Sequence, residues 1–276
     1  MRVLGWLIGI LLVLGVAALV AVMFLLPPRD PDAFALARER KARLTTYRRD
    51  QPLPGAISTS ETLEARLARG GFKLGTPLLV RIYKSSFELE VWLKRDAAFE
   101  KFATYPICYF SGNLGPKLRT GDWQSPEGIY QISAKQLNPN SRWHRAFNLG
   151  FPNAYDRSLG RTGSLLMVHG GCSSVGCYAM TNPAIDDLFR LASAALAAGQ
   201  VSFQVQALPF HMTTEALLAR ADSKNAGFWS DLKSVADAFD ATHVPPDVAV
   251  CDGHYRVVGS RPETTGTNTQ SVCRRL

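Results

Sequence analysis

The chain has 276 residues, of which 46% are hydrophobic and 20% are charged, a composition typical of a folded globular protein. This composition excludes disordered, collagen-like and small disulfide-built proteins. Lys and Arg outnumber Asp and Glu by 31 to 23, and the resulting net charge of +8 favours an anionic partner. The basic residues are spread along the chain without the aromatic and basic block of a base-stacking module, which argues against nucleic acid. Cell wall and anionic lipid remain equally open as partners.

An apolar segment lies near the start of the sequence. Residues 3–26 form a run of 24 residues without a charge, Pro, Asn or Gln, which is long enough to span a bilayer. A secretory signal peptide is the alternative, with a possible cleavage site at Val16-Ala17-Ala18, but cleavage there would leave an apolar segment exposed. We therefore predict an uncleaved membrane anchor. The basic residues that follow would favour the cytoplasm, but large domains cross membranes despite their charge, so charge alone leaves the orientation open.

A stalk and a short helix are predicted next. Residues 27–57 are interpreted as a juxtamembrane stalk, in which the basic stretch that ends at Arg49 could form a helix. Ser58 followed by Glu61 has the spacing of a capping box, and it predicts a short helix that ends at Gly70. We expect the soluble domain to begin here.

From Pro77 the apolar pattern takes the period of β-strands. Two strands are predicted around Leu79–Tyr83 and Phe87–Leu93, and further short strands at Thr104–Tyr109, Gly128–Ser133, Leu165–His169 and Val201–Ala207. One helix is well marked, with Asn182 as N-cap, Pro183 in its first turn and Gly199 just past its end. Two further helices are predicted at Thr214–Ala221 and Ser230–Ala241, and a last strand pair at Val248–Val257. The predicted fold class is mainly β with flanking helices, as a sandwich or barrel.

The five cysteines are too few for a disulfide-built fold, and their odd number leaves at least one thiol unpaired unless two chains join. Cys251 and Cys273 could close a loop of about 20 residues, which would contribute roughly 3 kcal/mol in the chain-entropy picture. The sequence does not establish that pairing.

The segment that carries chemistry runs from Leu165 to Met180. An apolar strand leads into His169, then into mostly small residues, and then into Cys177 ahead of the predicted helix. An imidazole can take the proton of a thiol, and glycines can aim backbone N–H groups at a developing oxyanion. The segment therefore has the parts for acyl transfer through a thioester.

Cys172 lies closer to His169 in sequence, but Cys177 is preferred because it precedes the helix, whose exposed N–H groups can lower a thiol pKa. Cys172 is expected to pack under the loop or to form a disulfide, for which Cys108 is a candidate partner.

Other interpretations of this segment are a structural histidine with a buried cysteine, a Cys172–Cys177 disulfide, and a zinc site. Zinc ligands could come from His169, Cys172 and Cys177, with Cys108 or His211 as the fourth. The five-residue step between the two cysteines and the lack of a close second Cys or His pair argue against zinc. We predict neither a metal nor a cofactor.

The sequence Ser174-Val175-Gly176-Cys177, with His169 upstream, resembles the Ser-x-Gly-Cys signature of the YkuD-type L,D-transpeptidases. The wider match is to the YafK-like branch of that family and includes residues 106–108, 111–118, 121–122, 126–130, 148–157 and 169–181. The resemblance covers roughly residues 78–208. Two departures from the broad family pattern, Ala179 in place of the usual Arg and a short His-to-Cys stretch, are typical of this branch.

The resemblance implies a YkuD-like β-sandwich catalytic domain over residues 78–208, followed by a C-terminal extension over residues 209–276. It implies a periplasmic location in a Gram-negative cell, behind an inner-membrane anchor. Cys177 is then the nucleophile and His169 the general base, with a backbone carbonyl orienting the imidazole. Gly176, Ser174 and Gly170 are expected to support the loop or the oxyanion.

The substrate that the resemblance implies is a peptidoglycan peptide, attacked at an amide of diaminopimelate. Members of the YafK-like branch are associated with releasing a covalently attached outer-membrane protein, so hydrolysis is expected, with cross-linking transpeptidation as the alternative. A second alternative is an inactive wall-binding module. Arg119 and Arg157, in matching blocks that also hold Lys117 and Arg161, are candidate contacts for substrate carboxylates, against the alternative of solvated surface charge. Asp156 and Glu127 are assigned no catalytic role.

Overall fold

The computed structural model describes residue 15 and residues 31–58, 60–258 and 273–276. The predicted anchor over residues 3–26 therefore lies outside the described residues, apart from Gly15. Within the described ranges, no helix combines the length and the hydropathy of a membrane span.

The described chain forms six α-helices, one short 3-10 helix and twelve strands. The helices are α1 Pro31–Arg48, α2 Leu63–Arg69, α3 Ala154–Ser158, α4 Asn182–Ala197, α5 Thr214–Leu218 and α6 Ala226–Thr242, with the 3-10 helix at Ala134–Gln136. The strands are β1 Leu78–Tyr83, β2 Glu88–Arg95, β3 Ala98–Phe110, β4 Gly128–Ile132, β5 Leu137–Ser141, β6 His144–Asn148, β7 Met167–His169, β8 Tyr178–Met180, β9 Phe203–Leu208, β10 Val248–Cys251, β11 His254–Val257 and β12 Arg274–Arg275.

Nine of the strands form one continuous sheet in the order β4-β9-β1-β2-β3-β8-β7-β6-β5. The long strand β3 joins the two halves, because its first part pairs with β2 and its end, Ile107–Phe110, pairs with β8. The sheet curls so that Phe147 of β6 meets Phe203 of β9, with ring centroids 5.5 Å apart. The predicted mainly β class with flanking helices is confirmed, and the predicted sandwich takes the form of one curled sheet.

The core lies inside this curl. Inward-facing residues of β1 and β2, such as Val80, Ile82 and Val91, pack in one cluster with Ile185 and Leu188 of α4. Every residue of β1 is buried, because α6 covers the outer face of the sheet, where Phe239 packs with Leu79. β10 and β11 form a separate small sheet with β12.

Most of the predicted elements are confirmed within a few residues, but two of the predicted caps are wrong. The N-cap of α2 is Thr62, whose hydroxyl accepts the N–H of Ala65 at 3.2 Å, while the Ser58 hydroxyl bonds to Ser60 instead. The N-cap of α4 is Thr181, so Asn182 is already helical. Strands β5, β6, β8 and β12 and helix α3 were not predicted.

Helix α1, which occupies most of the segment interpreted as a stalk, packs against β3. Arg43 is only 7% exposed, donates to the carbonyl of Ile107 at 3.0 Å and lies over the ring of Phe87. At the start of the helix, Asp32 accepts two hydrogen bonds from Arg220, at 2.7 and 2.8 Å. Residues 31–48 are therefore held to the domain at both ends.

Two disulfides settle the cysteine pairing. Cys108 pairs with Cys172, and Cys251 pairs with Cys273, as the sequence allowed without establishing it. Cys177 is the free cysteine. The zinc alternative and the Cys172–Cys177 disulfide are both wrong because Cys172 is bonded to Cys108. The described residues contain no group of three or more His, Cys, Asp and Glu that could hold a metal ion.

Candidate functional site

The site is built where the two short parallel strands β7 and β8 lie side by side. Their register pairs Val168 with Tyr178 and His169 with Ala179. Side chains alternate between the faces of a strand, so Cys177, which directly precedes β8, points to the same face as Ala179 and hence as His169. Neighbouring strands lie about 4.8 Å apart. Cys177 and His169 therefore lie on adjacent strands and on the same face, offset by two residues along the strand direction.

The Cys177 thiol is partly buried at the edge of this face. Its sulfur accepts the backbone N–H of Met167 at 3.4 Å, and its S–H donates to the carbonyl of Leu165 at 3.6 Å. Burial raises the pKa of the Cys177 thiol, and the Met167 N–H and the positive charge of Lys117 act in the opposite direction. In this state the thiol is directed to Leu165 rather than to His169, and such contacts often tighten only when a substrate binds.

The His169 imidazole is buried, with 3% exposure, and fixed in orientation. Its Nδ1 lies 2.6 Å from the carbonyl oxygen of Gly170. A carbonyl can only accept, so Nδ1 carries the proton and Nε2 presents a lone pair. The predicted orientation by a backbone carbonyl is thus present. Burial lowers the pKa of His169, which favours the neutral base, and Trp143 stacks beside the ring at 6.0 Å.

Two serines hold the backbone at the cysteine. Ser174 Oγ donates to the carbonyl of Cys177 at 2.7 Å, and Ser125 Oγ donates to the same carbonyl at 3.0 Å. Ser174 Oγ also accepts the N–H of Gly176 at 3.1 Å. The Gly176 N–H, predicted as an oxyanion donor, is therefore engaged within the loop in this state, and Ser174 supports the loop.

Glycine is required at two of the predicted positions. Gly176 has φ +126°, and a Cβ there would lie 3.0 Å from Leu166 Cδ1. A Cβ at Gly170 would lie 2.6 Å from Asn182 Oδ1, so a side chain would push the loop away from α4. These contacts explain why residues 170 and 176 are glycine.

The N-terminus of α4 is not what distinguishes Cys177 from Cys172, contrary to the prediction from the sequence. Strand β8 separates Cys177 from α4, so the thiol does not lie at the helix N-terminus. The disulfide decides instead, because Cys172 has no free thiol. That bond, buried in a cluster with Leu53, ties the loop between His169 and Cys177 to β3.

A buried ion pair beneath the site was missed by sequence reasoning. Lys84 Nζ lies 3.1 Å from Glu127 and donates to the carbonyls of Gly115 and Ser125 at 2.9 and 2.6 Å. Glu127 also accepts the Trp229 indole N–H at 2.9 Å. The pair fixes the segment that presents Ser125 to Cys177. Glu127 lies in one of the segments that resemble the YafK-like branch, residues 126–130. No sequence motif, however, indicates that it pairs with Lys84.

The predicted carboxylate contacts lie in different places. Arg119 is exposed, and its carbonyl accepts from Lys117 Nζ at 3.0 Å, beside the site. Arg157 lies on α3, where it donates to the carbonyl of Pro152 and borders a separate cavity. Arg161 forms a buried ion pair with Asp156 at 2.8 Å, which gives both residues a structural role. The structure therefore groups Cys177, His169, Ser174, Gly176 and Gly170 and leaves Arg157 apart.

Comparison with known proteins gives two consistent matches and two distant ones. The YkuD family, described as the L,D-transpeptidase catalytic domain, matches residues 80–203. A protein of Escherichia coli that carries the name "Putative L,D-transpeptidase YafK" is 45% identical over 184 residues, which are 67% of this chain and 75% of that protein. The helical cell shape determining protein Pgp2 of Campylobacter jejuni is 20% identical, with a TM-score of 0.40 and coverage of 64% of each chain. Bd1075 of Bdellovibrio bacteriovorus is 16% identical, with a TM-score of 0.35 and coverage of 60% of this chain and 56% of that one. This chain spans less than two thirds of those two structures.

Proposed function

The chain belongs to the YkuD family of L,D-transpeptidases, enzymes of peptidoglycan, and from this membership we propose that it works through a thioester on Cys177. One observation carries the proposal. The free cysteine of the chain lies on the same sheet face as His169, whose Nδ1 is fixed by the Gly170 carbonyl so that Nε2 is available as a base. This is the pairing that an activated thiol nucleophile needs.

The reaction begins when His169 Nε2 takes the proton of Cys177. The thiolate attacks the carbonyl carbon of the amide at the L-centre of a diaminopimelate residue. The C–N bond breaks, the leaving amine takes the proton from the imidazolium, and the acyl group remains on sulfur as a thioester. The Met167 N–H, aimed at the sulfur, stabilises the thiolate, while Ser174 and Ser125 keep the cysteine backbone in place.

The second half of the reaction is hydrolysis in this proposal. Water attacks the thioester, His169 takes one of its protons, the C–S bond breaks, and a carboxylic acid and the free thiol result. The 45% identity to YafK, Ala179 and the short stretch between His169 and Cys177 support membership of the YafK-like branch, and the choice of hydrolysis over cross-linking follows from the resemblance to that branch. The leaving amine would then belong to an outer-membrane protein attached to the wall.

We place the catalytic domain in the periplasm of a Gram-negative cell, behind an anchor formed by residues 3–26. Two disulfides support an oxidising compartment, because cytosolic thiols are kept reduced. The net charge of +8 suits an anionic wall.

The test is digestion of purified sacculi that carry attached protein with the full-length protein in detergent, followed by mass spectrometry of the products. We expect release of the protein with a free amine and a wall peptide with a new carboxylate. Cys177→Ala should release nothing above background, and His169→Ala should slow release by roughly 10²- to 10⁴-fold.

Ser173→Ala is the matched control, since Ser173 is an exposed residue of the same loop. It should keep full activity. Release by Cys177→Ala would refute the thioester, whereas new cross-linked peptides without release would favour transpeptidation.

A further inference from the structure

The turn of the β5–β6 hairpin lies against His169. Arg142 and Trp143 form its tip, and the Trp143 ring lies 6.0 Å from the imidazole of His169, with 28° between the ring planes. The N–H of Gly170 donates to the Trp143 carbonyl at 3.1 Å. A Cβ at Gly171 would lie 3.2 Å from Trp143 Cε3, so the indole also packs on the loop that leads to the cysteine. The hairpin tip therefore forms a wall of the site at the base itself.

The hairpin is held in this position by α4. His144 Nε2 lies 2.9 Å from Asp186 Oδ1, and Arg145 Nε lies 3.1 Å from the same oxygen. The N–H of Trp143 donates to Ser141 Oγ at 3.1 Å, which fixes the turn. Two basic side chains of the hairpin are thus committed to Asp186, and the tip has a defined place without any ligand.

The two side chains at the tip are not committed in this way. A two-residue hairpin turn favours Asn and Gly, yet here it carries a large aromatic and a long cationic residue. Trp143 is 45% exposed although it lies next to His169. Arg142 is exposed and forms no ion pair or side-chain hydrogen bond within the part of the chain that the structure describes. The turn itself therefore gives no reason for either residue type.

Arg142 and Trp143 also contact each other. The guanidinium carbon of Arg142 lies 5.8 Å from the centroid of the Trp143 ring, within the range of a cation–π interaction. A guanidinium has five N–H donors in a planar fork, so a contact with a ring leaves donors free for a carboxylate. The tip thus combines an apolar surface with an anion-binding group.

The substrate of the proposed reaction has an anion that suits this tip. Diaminopimelate has two amino-acid centres, and attack at the amide of the L-centre leaves the carboxylate of the other centre free, a short methylene chain away. Arginine binds carboxylates through two parallel hydrogen bonds, which adds geometric selectivity to the charge attraction. Arg157, which the sequence suggested for such a contact, borders a separate cavity.

We propose that the hairpin tip determines substrate specificity: the wall peptide packs on Trp143 beside His169, and Arg142 binds the free carboxylate of the diaminopimelate residue under attack. The inference rests on the proposed function, because it takes the wall peptide as the substrate. A tip that served only to cover His169 would not distinguish a carboxylate from an amide.

The experiment measures the binding of two synthetic wall peptides to the full-length protein in detergent by isothermal titration calorimetry. Both peptides end in diaminopimelate with a free L-centre carboxyl group, and they differ only at the D-centre, which is a carboxylate in one and an amide in the other. Neither has an amide at the L-centre, so neither is consumed.

The unchanged protein should prefer the D-centre carboxylate by roughly tenfold, and Arg142→Gln should bind both peptides equally at the weaker level. Arg142→Lys should keep part of the preference, because it keeps the charge without the fork. Arg256→Gln is the matched control and should keep the full preference, since Arg256 is an exposed arginine on β11 of the separate small sheet.

Trp143→Ala should weaken both peptides by a similar factor of roughly ten, whereas Trp143→Phe should stay within a few-fold of the unchanged protein. A preference that survives in Arg142→Gln would overturn the proposal. Equal binding of the two peptides by the unchanged protein, or no binding of either, would also overturn it. Binding needs no turnover, so this result is independent of the proposed function, which fails separately if Cys177→Ala releases product.

Discussion

The Cys108–Cys172 disulfide determines which cysteine can react. Residue Cys172 lies between His169 and Cys177, and its bond to Cys108 closes a separation of 64 residues. In the chain-entropy picture a loop of that length contributes about 4 kcal/mol. The bond therefore both stabilises the fold and leaves Cys177 as the free thiol.

We predict that the double variant Cys108→Ser/Cys172→Ser loses about 2–4 kcal/mol of unfolding free energy while keeping its nucleophile. A carbapenem-like acylating reagent should still form an adduct on Cys177, because β7 and β8 place that residue beside His169 without the disulfide. Mass spectrometry of the digested adduct checks the position. An adduct mapped to another residue would contradict the assignment of the site.

We predict that His169 makes the unfolding free energy depend on pH. Burial holds its pKa in the folded protein below the ordinary value of 6.5. As the pH falls through 6.5, the unfolded chain binds a proton at this residue and the folded chain does not, so the unfolding free energy decreases until the folded pKa is reached. His169→Gln, which does not titrate, should show a shallower loss of stability between pH 7 and pH 5. Denaturant unfolding across that range measures it, and equal slopes in the two proteins would count against a buried neutral imidazole.

Helices and strands with a clear period in the sequence could be predicted from the local pattern alone. β1 and β2 were predicted from alternating apolar residues, and α4 from Pro183 and Gly199 at its ends. β5 was missed because its sequence contains Asn138, Pro139 and Asn140, which are typical of turns. Its pairing with β6, rather than its own propensity, makes it a strand.

The site could be predicted only in its local part. His169, Ser174, Gly176 and Cys177 lie within nine residues of each other, so their spacing indicates their association. Ser125 reaches Cys177 across 52 residues, and its position depends on the Lys84–Glu127 pair, which joins two distant segments. No period or motif carries that information, because it arises from how the sheet curls.

We predict that the Lys84–Glu127 pair is needed for the stability of the fold. Both side chains have no exposure, so Lys84→Met would leave the Glu127 carboxylate without its ion partner and should cost about 3–5 kcal/mol of unfolding free energy. The double variant Lys84→Met/Glu127→Gln removes the uncompensated charge and should recover part of that loss. Urea unfolding of both proteins provides the measurement. A loss below about 1 kcal/mol in the single variant would show that the pair is dispensable.

For the whole molecule, α1 links the part of the chain that follows the predicted anchor to the catalytic sheet. Arg43 binds the carbonyl of Ile107 on β3, and Asp32 is held by Arg220. β3 also carries Cys108, so the same strand contacts α1 and anchors the site loop.

We predict that residues 3–26 are retained in the mature protein as a membrane anchor. A protein of net charge +8 can adhere to anionic lipid without any anchor, so association with membranes is not sufficient evidence. At 1 M salt the screening length falls to about 3 Å, which removes surface attraction but does not extract an apolar helix. We expect the mature protein to stay in the membrane fraction after such a wash and to keep its N-terminal residues. A variant with residues 3–26 replaced by a cleavable secretion signal is the control and should be washed free. A mature N-terminus near Leu19, determined by mass spectrometry, would show that the segment is a cleaved signal peptide.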